Sequence, residues 1–542
     1  MKKLLKAFLA LVMGFSLAAC GGEKYDPATT FIYANGGEAD YLDAAHGSDS
    51  VSAYITNQTN MFIVRLDEQG QVVYEAAKDI VRSTNADGLP VLTITLKDGL
   101  KWSNGDDLTA EHFVYGMKHS LCLGTEDAYY SYFISNYVLN AAKYWGVNTV
   151  AEMTDLGIKA LDAKTIEITL AAPCDYFEQL LAAGVFCPAH PTYVKDKDYT
   201  WADDATVPTS GAFKYKKIDR ASEVVMVKNE NYFDAAKVKM ETLICKTMTD
   251  MDAQAMAYKT DEIDWATSVN TSVATEYAGK DDLLISTSII NYFVAINSFV
   301  ESAGNTPIKD VNVRRALQLG IDRSAFVTAF NAPGVYTELK GFVPTGFPDG
   351  DGDFRSKGGD LVYTDKAKAK QLMEAAGYTA SNPLKLTYYY NESATHSTAA
   401  EVLKQQLKDI NVELTLKTAE VRTFFNDRSL AAFEIARHAM SADYLDVTTY
   451  LDMPILANQE EGKEWWGDAT YDKLMAEAAK LTGDARIAKL HEAEKYLVET
   501  QAYCIPLFEY KAVSLRDAKI TGWSTNAQAN FDFRFVDKHV AE

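Results

Sequence analysis

The stretch VLTITLKDGLKWSNGDDLTAEHFVYGMKHSL, residues 91–121, decides the fold class because it runs from a strand into a helix. Its first part alternates apolar and polar side chains, as a strand with one buried face does. The apolar positions are Leu92, Ile94 and Leu96. Two glycine-containing turns follow, and from Thr109 the apolar residues take up helical spacing. The stretch therefore predicts a protein in which strands and helices are mixed.

The rest of the chain contains both hairpins and helix–strand pairs. Residues 209–219 and 223–229 read as the two strands of a hairpin. Residues 366–390 and 401–420 each read as a helix followed by a strand. This change of pattern predicts a mixed α/β protein with more than one lobe.

Length, composition and charge limit the class of protein. The chain has 542 residues, of which 47% are hydrophobic and 24% charged. This composition is globular, and the length predicts roughly two to four domains. The formal net charge of −22 repels phosphate backbones, so we expect no nucleic-acid partner.

The amino terminus has the form of an export signal. Three lysines precede an apolar run at residues 7–17, which is too short for a membrane span. The ending LAACG resembles a bacterial lipobox, which implies cleavage after residues 1–19 and lipidation of Cys20. Residues 20–23 then form a short tether, and a protein attached in this way faces the extracytoplasmic side of the cell membrane. The alternative is a plain signal peptide with a chance cysteine.

The other cysteines and one acidic loop leave two questions open. Five cysteines remain besides Cys20, so they cannot all pair, but Cys174 and Cys187 are close enough in sequence to form a disulfide. The acids of the loop from Asp349 to Asp360 occupy positions of an EF-hand-like calcium loop. Phe354 stands where such a loop needs glycine, which favours a flexible acidic loop without metal.

No motif of an enzyme is present in the sequence. It lacks G-x-S-x-G, H-E-x-x-H and a glycine-rich phosphate loop. No spacing of carboxylates singles out a glycosidase pair. We therefore expect no catalytic activity and no cofactor, and an enzyme that acts on peptides is the weaker alternative.

A resemblance to a known family covers nearly all of the chain after the signal. In their order along the chain, eight segments resemble those of the extracellular oligopeptide-binding proteins of bacterial peptide ABC transporters, solute-binding protein family 5. The segments are LTITLKDGLKWSNGDDLTAEHFVYGMK, TSGAFKY, VKNENYFDAAKVKME, DEIDWA, VNVRRALQLGIDR, AKQLMEAAGY, ARHAMSADYLDVTTYL and CIPLFEYKAVSL.

The resemblance implies a periplasmic-binding-protein-like α/β fold with two large lobes, a hinge and a smaller extra lobe. The implied bounds are 24–60, 208–289 and 512–542 for lobe I, 61–207 for the smaller lobe II, and 290–511 for lobe III. A monomer of this kind captures an oligopeptide between its lobes and delivers it to the permease subunits of an ABC transporter. Relatives of the fold that carry nickel complexes, haem, sugars or signalling peptides leave other ligands open.

The resemblance also implies a binding site. Asp443, in the motif Ala-Asp-Tyr, is the implied anchor of the peptide amino terminus, because a buried ammonium needs a carboxylate. Read without the family, Asp443 is an Asx-turn or helix N-cap residue. The implied contacts with the peptide backbone are Ala439, Ser441, Gly47 and Ser48. The implied partners of the peptide carboxylate are Arg437, Arg428 and His396. The implied pocket residues are Tyr129, Tyr444 and Met440, the last standing where a Trp is common in the family.

Overall fold

The computed structural model describes residues 25–47, 49–286, 290–299, 307–459, 464–526 and 530–538. The expected signal peptide at residues 1–19, the lipidation site Cys20, the tether 20–23 and the expected backbone contact Ser48 lie outside the described residues.

The strands are, in chain order, β1 (Thr30–Asn35), β2 (Val64–Leu66), β3 (Val72–Tyr74), β4 (Ala77–Thr84), β5 (Pro90–Leu96), β6 (Ile158–Asp162), β7 (Thr165–Thr169), β8 (Phe213–Asp219), β9 (Glu223–Lys228), β10 (Thr242–Thr247), β11 (Trp265–Ala266), β12 (Leu283–Ile285), β13 (Ile290–Ile296), β14 (Tyr336–Glu338), β15 (Pro348–Asp349), β16 (Gly352–Asp353), β17 (Leu384–Asn391), β18 (Val412–Ala419), β19 (Ile435–Ser441), β20 (Cys504–Tyr510), β21 (Val513–Arg516), β22 (Ser524–Thr525) and β23 (Phe531–Asp532).

The α-helices are, in chain order, α1 (Ser50–Thr59), α2 (Ala110–Asp127), α3 (Tyr132–Ser135), α4 (Phe177–Leu180), α5 (Met251–Lys259), α6 (Thr271–Glu276), α7 (Val311–Leu319), α8 (Ser324–Phe330), α9 (Phe354–Gly358), α10 (Lys366–Ala375), α11 (Ala394–Lys408), α12 (Val421–Ser429), α13 (Thr448–Leu451), α14 (Ala469–Ala478) and α15 (Gly483–Lys495).

Three larger sheets organise these elements. The first sheet has the strand order β12-β21-β11-β1-β10-β9-β8, the second β14-β20-β13-β19-β17-β18, and the third β4-β5-β7-β6. The expected hairpin is present as the antiparallel pair β8 and β9. The two expected helix–strand pairs form α10 with β17 and α11 with β18, and β17 and β18 run parallel. The mixed α/β prediction is therefore confirmed.

The stretch at residues 91–121 folds as its periodicity predicts. Leu92, Ile94 and Leu96 are all buried in β5. The backbone N–H of Thr109, just before α2, donates to His112 Nδ1 at 3.2 Å, which satisfies one amide at the helix start. The apolar face of α2 packs into the same core cluster as β5, so this stretch is the centre of the third sheet's core.

The chain passes between the first and second sheets at two places that lie side by side. One passage joins β12 to β13, and the other joins β20 to β21. The backbone N–H of Ser286 in the first passage donates to the carbonyl of Ala512 in the second at 2.9 Å. The expected lobe boundaries at 289/290 and 511/512 fall in these passages. The division into lobes itself stays a prediction.

A buried charge network holds the carboxyl-terminal segment against the start of the third sheet. Glu75 is 4% exposed and accepts hydrogen bonds from Arg65 Nε at 2.6 Å and from the Tyr232 hydroxyl at 2.8 Å. Arg534 pairs with the same Glu75 carboxylate and also with both carboxylate oxygens of Asp532. Because every charge in the network has an opposite charge beside it, removal of one group leaves another buried and unpaired.

We predict that Glu75→Gln lowers the free energy of unfolding by about 3 kcal/mol, because it leaves the buried Arg65 guanidinium without a counter-charge and Arg534 with Asp532 alone. For a chain of this length the loss corresponds to a fall of roughly 3 °C in melting temperature, measured by calorimetry. Glu178→Gln is the matched control, because Glu178 pairs with Arg82 at the surface, and such pairs contribute little. Equal shifts for the two variants would contradict the network's role.

The five cysteines of the described residues are free and buried. Cys174 and Cys187 therefore form no disulfide in this structure, and they belong to different core clusters. Burial raises the pKa of Cys174 to about 12 and that of Cys187 well above the ordinary value. Thiols in this state are unreactive, because the thiolate is the nucleophile.

We predict that the native protein without its signal and Cys20 reacts with Ellman's reagent at none of its thiols within minutes at pH 8. Unfolding in guanidinium without reductant then exposes all five thiols to the reagent. If only three thiols of the unfolded chain react, the other two form a disulfide and the prediction is wrong.

The acidic loop from Asp349 to Asp360 is occupied by contacts within the protein. Lys357 Nζ lies 3.0 Å from Asp351 Oδ1, and His491 Nε2 lies 2.8 Å from Asp349 Oδ2. Asp353 caps α9 by accepting from the backbone N–H of Ser356 at 2.9 Å. These contacts make the loop a hairpin and helix start (β15, β16 and α9), and not the flexible loop that its sequence favours.

None of the helices in the described ranges combines the length and the apolar character that a bilayer-spanning segment needs.

Candidate functional site

A cleft of about 410 Å³ is lined by segments from distant parts of the chain. Gly47 and Asp49 line it from the loop between β1 and α1, and Tyr130 lines it from the segment after α2. Ser441 and Asp443 line it from the end of β19 and the segment that follows. The cleft thus brings together two of the predicted backbone contacts and the predicted amino-terminus anchor.

Asp443 is held by two hydroxyl groups from a distant part of the chain. Its Oδ1 accepts from the Tyr130 hydroxyl at 2.9 Å, and its Oδ2 from the Tyr132 hydroxyl at 3.2 Å. Its backbone N–H donates to Thr449 Oγ1 at 2.9 Å. Burial raises the pKa of Asp443 to about 6, while the two tyrosine hydrogen bonds oppose that rise. The carboxylate is therefore mostly ionised at neutral pH, although it lies at the base of a cleft.

The turn role that the sequence alone suggested for Asp443 belongs to Asp446. Asp446 Oδ1 accepts from both the backbone N–H and the hydroxyl of Thr448, at 3.0 and 2.7 Å. Arg486 donates to both Asp446 oxygens at 2.7 and 2.8 Å. The carboxylate of Asp446 is thus hydrogen-bonded to Thr448 in its own turn and to the Arg486 guanidinium, and Asp446 does not line the cleft. Asp443 lines the cleft.

One edge of β19 stays without a partner strand over most of its length. On one side β19 pairs with β13 from end to end. On the other side β17 pairs only with Ile435 and Ala436, and no other strand of the described residues continues that pairing. Five residues, from Arg437 to Ser441, therefore present an edge at which another strand can add.

The register of β19 decides which of its backbone groups point to that open edge. The backbone N–H of Asn297 donates to the carbonyl of Glu434 at 3.0 Å. Hydrogen-bonded pairs alternate along an antiparallel ladder, so every second residue after Glu434 bonds to β13. The backbone groups of the residues between them, Arg437, Ala439 and Ser441, point to the open edge. Ala439 and Ser441 are the two strand residues that the sequence predicted as backbone contacts.

Two arginines lie together at the far end of this edge. The guanidinium groups of Arg428 and Arg437 lie 4.8 and 5.3 Å from the centre of the Phe425 ring. Arg437 is 7% exposed and its Nε donates to Asn391 Oδ1 at 2.8 Å. Burial and the like charge of Arg437 lower the pKa of Arg428 to about 10, and Arg428 Nη1 is buried without a hydrogen-bond acceptor. Two adjacent cations, one with an unsatisfied N–H, suit an anion such as a carboxylate.

His396 differs from its prediction as a cation. Its Nδ1 lies 3.2 Å from the Tyr292 hydroxyl, inside the first turn of α11. Burial and the positive charge of Arg437 lower the pKa of His396 to about 3. The imidazole is therefore neutral at physiological pH, and it can contact a carboxylate only as an N–H donor. The sequence could not show this, because the lowering charge comes from a residue 41 positions away.

The predicted pocket residues take different places. Tyr129 is 52% exposed, and the charges of Asp443 and Arg428 act on its pKa in opposite directions, which places it between the two ends of the site. Met440 packs beside the core cluster of the second sheet. Tyr444, predicted as a pocket residue, is instead a core residue beside the cleft. Its side chain is 4% exposed and stacks on Tyr176 with ring centres 4.9 Å apart.

Sequence reasoning missed the two tyrosines that hold Asp443. Of the segment DAYYSYF, residues 127–133, only Tyr129 was predicted from the sequence to line the pocket. Its neighbours Tyr130 and Tyr132 supply the hydroxyls. The cluster of three tyrosines within four residues was the available signal, since tyrosine combines a packing ring with a polar tip.

The comparison with protein families agrees with this architecture. The model of the bacterial extracellular solute-binding proteins, family 5 (middle), matches residues 71–460. The chain belongs to this family.

Relatives and solved structures extend the agreement to nearly the whole chain. The dipeptide-binding protein DppE of Bacillus subtilis is 27% identical over 562 residues, 99% of each chain. The probable deoxycholate-binding periplasmic protein YgiS of Escherichia coli is 27% identical over 507 residues, 92% of this chain and 91% of its own. The crystal structure of a periplasmic oligopeptide-binding protein (OppAIV) from Borrelia burgdorferi matches 94% of this chain and 99% of its own, with 28% identity and a TM-score of 0.78.

These matches confirm the predicted periplasmic-binding-protein-like fold, and the named relatives are binding proteins. Within the described residues there is no group of three or more His, Cys, Asp or Glu side chains that could hold a metal ion. The chemistry that the site does offer is the Asp443 carboxylate just beyond the end of β19, the open edge of that strand, and the two arginines towards the other end of the edge.

Proposed function

We propose that the protein binds oligopeptides in the cleft and delivers them to the permease of a peptide ABC transporter. In this proposal the protein acts as a monomer on the extracytoplasmic face of the cell membrane, and the lipobox supports its tethering through Cys20. The observation that carries the proposal is the open edge of β19, which ends beside Asp443. An edge that offers backbone groups binds other backbones and is indifferent to their side chains.

The amino end of the peptide lies at Asp443 in this proposal. The carboxylate is ionised at neutral pH, lines the cleft, and is fixed in position by Tyr130 and Tyr132. An ammonium that is buried when a ligand fills the cleft needs such a counter-charge, because an unpaired buried charge costs several kcal/mol. The peptide then runs antiparallel to β19, with its backbone against Ser441 and Ala439.

The carboxyl end lies towards the paired arginines. Arg437 lies on β19, six residues before Asp443, and Arg428 contacts the same Phe425 ring as Arg437. A peptide carboxylate would relieve the repulsion between the two cations. It would also accept a hydrogen bond from Arg428 Nη1, which has no acceptor in this structure. His396, as a neutral donor, adds a hydrogen bond and no charge.

The names of the relatives include binders of dipeptides, oligopeptides and deoxycholate. Deoxycholate has a carboxylate but no ammonium and no peptide backbone. It could use the arginines, but neither Asp443 nor the open edge of β19. Because three features of the site match a peptide and one matches a bile acid, we propose peptides.

We predict that a free tripeptide binds roughly 30- to 150-fold more tightly than its N-acetylated twin at pH 7.5, by calorimetry. Acetylation removes the ammonium and leaves Asp443 buried, a loss of about 2–3 kcal/mol. Asp443→Asn should bring the two affinities together. Asp409→Asn is the matched control, since Asp409 pairs with Lys366 at the surface. Equal affinities for the two peptides with the native protein would refute the amino-terminal anchor.

We also predict that affinity for the free tripeptide falls about fourfold between pH 7.5 and pH 5.5. The ammonium binds the ionised carboxylate, whose population is full above a pKa of about 6 and declines below it. The histidines near the arginines do not interfere: the pKa of His396 is about 3, and burial lowers that of His438 further below its ordinary value. Asp443→Asn should flatten the pH profile, and a profile of the same slope in that variant would assign the effect elsewhere.

A further inference from the structure

The wall of the cleft near Asp443 carries a second acid and no base. Asp49 and Asp443 both line the cleft, and among the described lining residues there is no Lys or Arg. The neighbouring residues outside the described ranges, Ser48, 287–289 and 527–529, include no basic residue in the sequence. The described lining of the cleft is therefore negatively charged, while Arg428 and Arg437 lie around the Phe425 ring and are not among the lining residues.

Asp49 is fixed in place by the helix that it caps. Its Oδ1 accepts from the backbone N–H of Ser52 at 2.7 Å and its Oδ2 from the Ser52 hydroxyl at 2.9 Å. The start of α1 contributes roughly +0.5 elementary charge, which offsets only part of one carboxylate. Two carboxylates with that partial charge still leave the region more than one charge negative.

The two carboxylates act on one part of the cleft. Both of their charges raise the pKa of Tyr130, whose hydroxyl donates to Asp443 and whose ring lines the cleft. Tyr130 thus lies within electrostatic reach of both acids. If the ammonium of a peptide neutralises Asp443, the charge of Asp49 remains in the same enclosed space.

The lining of the cleft offers apolar surface on which a long side chain can pack. Besides polar groups, it includes the small residues Ala53, Ala182 and Ala183 and the rings of Phe62 and Phe133. The methylene stem of Lys or Arg packs on such apolar surface while its charged end reaches a carboxylate.

We propose that Asp49 is a specificity-determining residue that selects peptides with a Lys or Arg side chain at the first or second position. The inference rests on the proposed peptide-binding function and goes beyond it. Asp443 takes the α-ammonium that all peptides share, and Asp49 takes the positive side chain that only some of them carry.

The test compares matched peptides by calorimetry at pH 7.5 and low salt. The pairs are Lys-Ala-Ala with norleucine-Ala-Ala, and Ala-Lys-Ala with Ala-norleucine-Ala, since norleucine keeps the stem and lacks the charge. We expect the Lys peptide of at least one pair to bind at least about fivefold more tightly. The preference should shrink in 0.5 M NaCl because salt screens the charges.

The variant Asp49→Asn removes the charge and keeps the cap, because Asn caps a helix about as well as Asp. It should reduce the preference for Lys to less than about twofold. The matched control is Asp250→Asn at the start of α5, where the acid is exposed, caps in the same way and lies outside the cleft lining. That variant should keep the full preference.

Two results would overturn the inference. Equal affinities within both peptide pairs would show that the second acid does not select a charge. An undiminished Lys preference in Asp49→Asn would assign the selection to another group. In both cases the norleucine peptides still bind, so the proposed function survives; if no peptide of the four binds, the proposed function fails and the inference with it.

Discussion

The hydrogen bonds from Tyr130 and Tyr132 to Asp443 are the contact on which the arrangement of the cleft depends. They join the segment after α2 to the segment after β19, across more than 300 residues of sequence. Burial alone would push the carboxylate towards its neutral form, and the two hydroxyls hold it near a pKa of about 6. Without them the pKa of Asp443 would be higher, and less of the group would carry the charge that an ammonium needs at neutral pH.

The charges around β19 are separated along the strand. Two carboxylates line the cleft that the carboxyl end of β19 enters, two arginines lie towards the other end of the open edge, and the backbone of that edge runs between them. A peptide in its zwitterionic form carries the complementary charges at its two ends. The same open edge would invite aggregation on an exposed sheet, but here its Ser441 end lines the cleft. In the proposed complex, charge sets the direction of the peptide, and backbone pairing supplies contacts that every peptide can make.

Local pattern in the sequence was enough for the elements and for the family. The period-two alternation at Leu92, Ile94 and Leu96 and the helical spacing after Thr109 are set by residues close in sequence, and both fold as expected. Asp443 could be singled out because its motif belongs to an ordered set of family segments. The relevant charges of the site could not be read in the same way. The neutrality of His396 depends on burial and on Arg437, and the ionisation of Asp443 depends on two tyrosines far away in the chain. Tyr444 likewise went into the core because its partner, Tyr176, is 268 residues away.

A crystal structure of the protein with a bound tripeptide tests the central claim most directly. The account predicts the peptide as an added strand on β19, with its backbone bonded to Ala439 and Ser441 and its ammonium within about 3 Å of the Asp443 carboxylate. A tripeptide bound in the cleft with its backbone away from β19, or with its amino end at Arg428 and Arg437, would contradict the account.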